Sequence, residues 1–273
     1  MKLRIILDKI ITLISTMFAF FGIFILFWIL KDVIVNGIKS INLGFFLHDP
    51  RPPGIEGGGL RNAIVGSFII TFIAMAIAFP IGLLGATYIN EYSRSSKFSN
   101  FIRFVYDVLL SSPSIVIGAY VYALLVKPFK TFSAISGSFA LSIIMMPIIL
   151  KTLDELFKLI PNFTKEAAYA LGAPKWKVIV YIIWPYVRIG ILTSILLSFA
   201  RIVGETAPLL FTSFNNMFFE LNLFKPMATL TVNIFNFAMS PYESWHKFAW
   251  SASFLIVVFV LFVNLISRFL LKE

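Results

Sequence analysis

Long apolar stretches alternate with short polar segments along this chain of 273 residues. A bilayer core about 30 Å thick takes roughly 20 residues of helix to cross, and six of the stretches reach that length. They lie near residues 10–30, 63–90, 104–126, 132–150, 187–212 and 249–271. The pattern therefore predicts an all-α membrane protein with six transmembrane helices, which form one membrane domain over residues 1–273.

The composition agrees with a chain that has lipid as part of its solvent. Hydrophobic residues make up 59% of it and charged residues 13%, with a mean hydropathy of +0.91, whereas soluble domains are about 25% charged. The formal net charge is +10, but the Lys and Arg residues are dispersed at the ends of the apolar stretches, which argues against nucleic-acid binding. Cysteine is absent, and the only histidines, His48 and His246, fall in separate connections. No metal site is expected.

The distribution of Lys and Arg predicts the orientation of the chain. They accumulate in the N-terminal segment, the segment around 91–103, the long loop 151–186 and the C-terminal end. These parts should face the cytoplasm of an inner (plasma) membrane, with both termini inside. The first apolar stretch is too long for a signal peptide and predicts a retained helix. The two long outer connections, 31–62 and 213–248, predict irregular surfaces suited to docking.

Small residues recur in the second predicted span at intervals of four. They are Ala74, Ala78, Gly82 and Ala86. Such a stripe lets the backbone of a neighbouring helix approach closely. We therefore expect a second helix to pack along this face.

The loop 151–186 contains the most specific local pattern, a helix, a turn and a second helix over residues 161–174. Asn162 can cap the first helix, and Glu166 near its first turn favours the helix dipole. Gly172 suits the left-handed position that ends a helix, and Pro174 suits the start of the next. We expect a compact knob, with Lys165, Lys175 and Lys177 solvated beside an anionic leaflet.

The residues of this loop resemble the EAA loop of permease subunits of type I ABC importers. The similarity rests on Glu166, Ala167, Ala168, Gly172, Ile182 and Pro185, and Trp184 stands where the family usually has Leu. The resemblance implies that Glu166, Ala167, Ala168 and Gly172 couple the chain to a dimer of ATPase subunits. ATP and Mg would be used by that partner, because this chain has no phosphate-binding Gly-Lys loop. It should bind no cofactor and is not expected to be an enzyme.

Two charges lie inside the fifth predicted span, Arg201 and Glu205. Arg201 lies about 20 Å into the membrane if the span starts near Arg188, and burying an Arg at a helix centre costs about 2.5–3.5 kcal/mol. It must therefore face a partner or a watery cavity. Two interpretations follow, an anion route lined by Arg201 or a pair with Glu205, one helical turn away, that locks helices together. Both can hold in different states.

Pro113, in the third predicted span, has two interpretations as well. It can kink the helix, which is the simpler expectation in a membrane. Alternatively it breaks the span, so that a half-helix starting at Ser114 points its positive end into a cavity.

Three stretches resemble the PstA-type permease family of the high-affinity phosphate importer: residues 57–67, 113–118 and 201–212. The resemblance implies that Arg201, Glu205 and Thr206 lie along a phosphate pathway. It also implies an extracytoplasmic phosphate-binding protein and a homologous second permease of the PstC type as partners, although a homodimer is not ruled out by this sequence. A permease for sulfate, molybdate or another small solute is the nearer alternative, and an ion-coupled carrier the more distant one.

Overall fold

The structure, a computed structural model, describes residues 2–55 and 57–270, and its regular elements there are helices. In chain order they are α1 (Lys2–Gly37), α2 (Leu43–Leu47), α3 (Arg61–Thr87), α4 (Lys97–Ser111), α5 (Ser114–Val121), α6 (Lys127–Phe129), α7 (Ala134–Lys158), α8 (Asn162–Ala170), α9 (Lys175–Val178), α10 (Trp184–Tyr186), α11 (Arg188–Val203), α12 (Ala207–Thr212), α13 (Leu230–Ala238) and α14 (Glu243–Leu270). Three π-helical segments, Tyr88–Tyr92, Tyr122–Val126 and Ile179–Ile183, continue α3, α5 and α9.

The predicted all-α membrane fold is confirmed, but two of its six spans are not continuous helices. Within the described residues, α1, α3, α7 and α14 are each long and apolar enough to cross a membrane. The segments Lys97–Ser111 and Ser114–Phe129 meet at 103°, and Lys175–Tyr186 meets Arg188–Val203 at 69°. The number of spans reaches six if each bent pair counts as one. Leu271, the end of the last predicted span, lies outside the described residues.

The small-residue face of α3 packs against α7, which confirms the predicted close approach. Ala74, Ala78 and Ala86 are fully buried. A Cβ atom at Gly82 would lie 2.8 Å from Cγ2 of Ile149 on α7. The α3–α7 pair is therefore the centre of the main hydrophobic core, to which α8, α9, α11 and α12 also contribute.

The two long outer connections are more regular than their sequences predict. The first contains the end of α1 and the short α2, and the second contains α13, whose Leu230 and Phe237 are buried against α14 and the start of α3. The expectation of irregular structure across 213–248 is wrong for this reason. Loops become regular here because an apolar nine-residue segment can bury one face against two long helices.

Asp49 and Arg61 of the first long connection contact Phe219 of the second. The guanidinium of Arg61 donates to both carboxylate oxygens of Asp49 at 3.1 Å, and the backbone N–H of Phe219 donates to the same carboxylate at 3.0 Å. The Arg61 guanidinium also lies 4.5 Å from the centre of the Phe219 ring. Residues far apart in sequence thus bring the two long connections into contact.

α1 lies largely outside this packed body. Its most apolar window is 0% buried. The helix meets α14 near its C-terminal end, where the Ser251 hydroxyl donates to the Gly37 carbonyl at 2.7 Å. The exposed length of α1 therefore faces lipid or another subunit.

Replacing Gly66 tests the packing of α3 against the segment before α13. A Cβ atom there would collide with the carbonyl oxygen of Ala228 and lie 2.9 Å from Cγ of Met227. We expect Gly66→Ala to lower the free energy of unfolding by about 1–3 kcal/mol, as overpacking does. The midpoint temperature of the purified subunit in detergent measures the effect.

Gly22→Ala provides the matched control, because no atom lies within 4 Å of a Cβ at that position in α1. Alanine favours helix over glycine by about 1 kcal/mol, so this variant should unfold at the same or a higher temperature. Equal midpoints for Gly66→Ala and the unmodified protein would contradict the packing described here.

Candidate functional site

A polar cavity of about 90 Å³ lies where the two discontinuous spans meet. We call it the helix-break cavity. Its walls come from α4, α5, α7 and the end of α11, and the residues that line it are Leu109, Leu110, Ser112, Ser114, Ile117, Ile144, Ile148, Arg201 and Glu205. The structure thus brings together Arg201, Glu205 and Ser114, which the sequence singled out in separate stretches. It adds Ser112, the residue before Pro113.

Arg201 occupies the last turn of α11 with an exposed side chain. In residues 2–55 and 57–270, no carboxylate lies within 4.0 Å of its guanidinium. The carbonyl dipoles at the C-terminus of α11 favour the positive charge of Arg201. Arg201 also lines the cavity together with the polar residues Ser112, Ser114 and Glu205. The site therefore holds an Arg whose hydrogen-bond donors remain available to a ligand.

The predicted Arg201–Glu205 helix face is wrong. α11 ends at Val203, and Gly204 follows with its N–H directed at the Arg201 carbonyl at 3.3 Å. Glu205 lies beyond the helix end, where the Thr231 hydroxyl donates to its carbonyl at 2.9 Å. A glycine-containing segment exposes backbone and lacks helix propensity, so the chain stops there rather than continuing one more turn. Both side chains still line the same cavity.

Thr206 lies next to the cavity and is not among its lining residues. It precedes α12, and its carbonyl accepts the N–H groups of Leu209 and Leu210 at 3.1 and 3.2 Å. Its side chain makes no capping hydrogen bond. The contribution of Thr206 described by the structure is thus to start α12.

The simpler expectation for Pro113, a kink, is wrong, because the chain breaks there. α4 ends at Ser111 and α5 begins at Ser114, with Ser112 and Pro113 in extended conformations. Proline disfavours helical backbone in the residue before it and lacks an N–H to continue the hydrogen-bond series. The first turn of α5 consequently begins at the cavity wall, with the Val116 N–H donating to the Pro113 carbonyl at 3.0 Å.

A glycine contact holds the two broken segments together. A Cβ atom at Gly118 of α5 would lie 2.6 Å from Cα of Pro208 in α12, so only glycine permits this approach. The contact brings α5 beside the segment that follows Arg201. Sequence reasoning missed the pair, since nothing in either stretch indicates its partner.

A second candidate site is the knob formed by α8 and the turn after it. Gly172 has a φ of +79°, and its N–H donates to the Tyr169 carbonyl at 2.9 Å, which confirms the predicted helix stop. Glu166 and Ala167 are exposed, whereas Ala168 is buried in the main core. The knob thus exposes a face that contains Glu166 and Ala167. Its opposite face, with Ala168, packs against the main core.

Two expectations for this knob are wrong. Asn162 does not cap α8; Pro161 occupies that position, and the Asn162 side chain accepts a hydrogen bond from Arg94 at 3.4 Å. Lys165 is not solvated, because its ammonium forms a buried ion pair with Glu91. Burial, together with the nearby Glu91 carboxylate, also raises the pKa of Tyr169, so its phenol stays neutral.

The segment that follows the knob, through Lys175 and Trp184, contacts the end of α3 and its π-helical extension. The Lys175 ammonium lies 4.3 Å from the centre of the Tyr92 ring. The indole N–H of Trp184 donates to the Thr87 hydroxyl at 3.1 Å. A leucine at position 184, as the importer family usually has, lacks this donor. These contacts join the knob to the helix that forms the core of the membrane domain.

This chain is similar to known membrane transport proteins in both sequence and fold. The family model described as binding-protein-dependent transport system inner membrane component matches residues 78–272. Among solved structures, a chain of the MetNI methionine ABC transporter in an inward-facing conformation matches with a TM-score of 0.63 and 14% sequence identity, over 78% of this chain and 95% of that one. At this identity the similarity shows the fold alone.

Curated relatives are much more similar in sequence. The phosphate transport system permease protein PstA of Pasteurella multocida is 45% identical over 261 residues, covering 96% of this chain and 93% of the relative. The probable phosphate transport system permease protein PstA of the archaeon Methanocaldococcus jannaschii is 31% identical and covers 99% and 96%. The chain belongs to the family of binding-protein-dependent inner-membrane transport components and, within it, to the group of PstA phosphate-transport permeases.

Proposed function

We propose that this chain is the membrane permease subunit of an ATP-driven importer that moves inorganic phosphate into the cytoplasm. The observation that carries the proposal is the guanidinium of Arg201, which has no carboxylate within 4.0 Å among residues 2–55 and 57–270 and lies at a polar cavity lined by both discontinuous spans. The relatives named as phosphate transport permeases, similar over almost the whole chain, support the same substrate.

The helix-break cavity offers the chemistry that binds a tetrahedral oxyanion. Arg201 supplies a planar fork of N–H donors, and the hydroxyl of Ser114 can donate as well. The Ser112 hydroxyl already donates to the Val108 carbonyl at 2.8 Å. The N-terminus of α5 adds a partial positive charge. Phosphate, sulfate and molybdate all satisfy this set of donors.

Glu205 favours phosphate among these oxyanions. Its carboxylate lines the same cavity and can only accept hydrogen bonds while it is ionised. Inorganic phosphate keeps at least one proton near neutral pH and can donate it in a hydrogen bond, whereas sulfate has none. A cavity that contains both an Arg and an unpaired acceptor therefore discriminates against a fully deprotonated anion.

ATP hydrolysis is assigned to separate subunits that dock on the knob. Glu166, Ala167, Ala168 and Gly172 form the proposed contact with an ATPase dimer that uses ATP and Mg. This places α8 and both termini in the cytoplasm. Arg201 is exposed at the helix-break cavity, and a homologous second permease of the PstC type would cover it and complete the pathway. An extracytoplasmic phosphate-binding protein docks on the outer surface.

The direct test measures phosphate-dependent ATP hydrolysis and phosphate uptake in liposomes that hold all of these subunits. Stimulation by sulfate or molybdate in place of phosphate would assign the chain to another importer. Uptake that continues without ATP would instead indicate an ion-coupled carrier.

Removing the guanidinium should stop transport. Hydrogen bonds to charged groups contribute about 1.5–3 kcal/mol each, so the loss of two predicts a fall in uptake of about 100-fold or more in Arg201→Ala. Arg188→Ala, at the other end of α11 and away from the cavity, is the matched control and should transport normally. Normal uptake by Arg201→Glu would contradict the proposed pathway.

Glu205→Gln should weaken the discrimination between phosphate and sulfate. An amide can donate to sulfate as well as accept from phosphate, so we expect the ratio of the two uptake rates to fall by about tenfold. Competition between labelled phosphate and sulfate in the same liposomes measures that ratio. An unchanged ratio would show that Glu205 does not select the substrate.

A bulky charge on the exposed face of α8 should release the ATPase. We expect Ala167→Arg to lose most of the ATPase that co-purifies with the permease, while the subunit itself stays folded because Ala167 is exposed. Leu221→Arg, an equally exposed position at the outer surface, is the control and should retain it. Retention of the ATPase by both variants would place the contact elsewhere.

A further inference from the structure

A buried carboxylate lies between the knob and the helix-break cavity. Asp154, in the last turns of α7, has 0% of its side chain exposed. Four side chains donate to it: Arg103 at 3.0 and 3.1 Å, Tyr106 at 3.1 Å, Lys158 at 2.6 Å and Asn90 at 2.7 Å. We call these five residues the Asp154 cluster. It joins α4, α7 and the π-helical extension of α3.

The Asp154 cluster is one residue away from the anchor of the knob. Asn90 contacts Asp154, and the next residue, Glu91, forms the buried ion pair with Lys165 of α8. Both belong to the π-helical segment Tyr88–Tyr92. Such segments are rare and occur frequently at functional sites. A displacement of α8 therefore reaches Asp154 through two adjacent side chains of one short segment.

On its other side the cluster leads to the cavity. Arg103 belongs to α4, an uninterrupted helix as far as Ser111. Leu109 and Leu110 near its end, and Ser112 just after it, line the helix-break cavity. A helix of this length moves as a rigid body, and Arg103 lies about 12 Å from its end. A displacement of Arg103 would therefore also displace the part of α4 that forms the cavity wall.

Asp154 is not the only residue that forms an ion pair between α4 and α7. A second ion pair, Lys151–Asp107 at 2.7 Å, joins the same two helices in a solvent-exposed position. What the buried cluster adds is the connection to α3 through Asn90. Burying charges for stability alone brings little, since apolar residues of similar size often serve as well. A fully hydrogen-bonded network, by contrast, fixes one geometry among three helices.

We propose that Asp154 is a positioning residue, which transmits displacement of α8 to α4 and so to the break between α4 and α5. This inference rests on the proposed function, because it assumes that α8 moves with an ATPase. In Asp154→Asn, the ATPase still docks and turns over, but its work no longer reaches the cavity.

The test compares two isosteric variants in liposomes that hold the complete transporter and the phosphate-binding protein. The measured quantity is phosphate transported per ATP hydrolysed. Coupling free energies between sites correspond to roughly 5–150-fold, and we expect this ratio to fall by about tenfold in Asp154→Asn. Asp107→Asn removes the acid of the exposed α4–α7 pair and should leave the ratio unchanged. An unchanged ratio in Asp154→Asn, or a parallel loss of transport and hydrolysis in an assembled complex, overturns the proposal.

A milder variant keeps the proposal testable if Asp154→Asn does not assemble. Asn90→Ala removes only the bond to α3 and leaves Arg103 and Lys158 on the carboxylate. It should lower the same ratio in the same direction. A ratio equal to that of the unmodified transporter would overturn the proposal even if Asp154→Asn fails to fold.

Thiol labelling provides a readout that a purely structural role would not change. The chain has no cysteine, so a Cys introduced at the exposed Ser111, the last residue of α4, gives a single thiol in this subunit. Trapping ATP should change its rate of reaction with a water-soluble maleimide in the otherwise unmodified chain, and not in Asn90→Ala. An equal response in both overturns this inference alone. Absence of phosphate-dependent ATP hydrolysis in the unmodified transporter would instead overturn the proposed function.

Discussion

A backbone polar group without a partner is costly in lipid, and this cost determines where the chain departs from helix. The bend at Ser112–Pro113 and the end of α11 at Val203 border the same cavity. The contact between Gly118 and Pro208 packs the broken segments against each other. Arg201 can lie at this depth because the same cavity provides a polar environment. The helix break, the charge of Arg201 and the cavity thus occur at the same place, because exposed backbone groups and a charged side chain both need a polar environment.

Much of the fold follows from apolar length and from small residues. Stretches longer than a bilayer crossing identify α1, α3, α7 and α14, and the stripe ending at Ala86 identifies the face that α7 covers. α13 escapes such reasoning, since its nine residues are too short to span and it is buried only through contacts with α14 and α3. Hydropathy is averaged over a window of residues. It is therefore insensitive to one residue that ends a helix, such as Pro113 or Gly204.

For the candidate sites too, some residues could be predicted from the sequence and others could not. Arg201, Glu205 and Ser114 carry chemistry or a helix break that is visible in the sequence, and the structure brings them to one cavity. Gly172 is visible because only its backbone conformation matters. The pairings of Asp154 with Asn90 and Arg103, and of Lys165 with Glu91, were not predictable. The paired residues lie 64, 51 and 74 positions apart along the chain. Such pairings depend on the rotation of one helix against another, which local patterns do not specify.

The π-helical end of α3 has a consequence for how this chain can vary. Successive residues of an α-helix are turned by about 100°, and a π turn accommodates one residue more than an α turn. Ahead of it the stripe through Ala86 faces α7, and within it Asn90 and Glu91 face Asp154 and Lys165. Deleting one residue between the stripe and Glu91 would rotate one set of side chains by a quarter of a circle or more relative to the other. Natural variants of this stretch must therefore conserve its length as well as the side chains that contact α7 and α8.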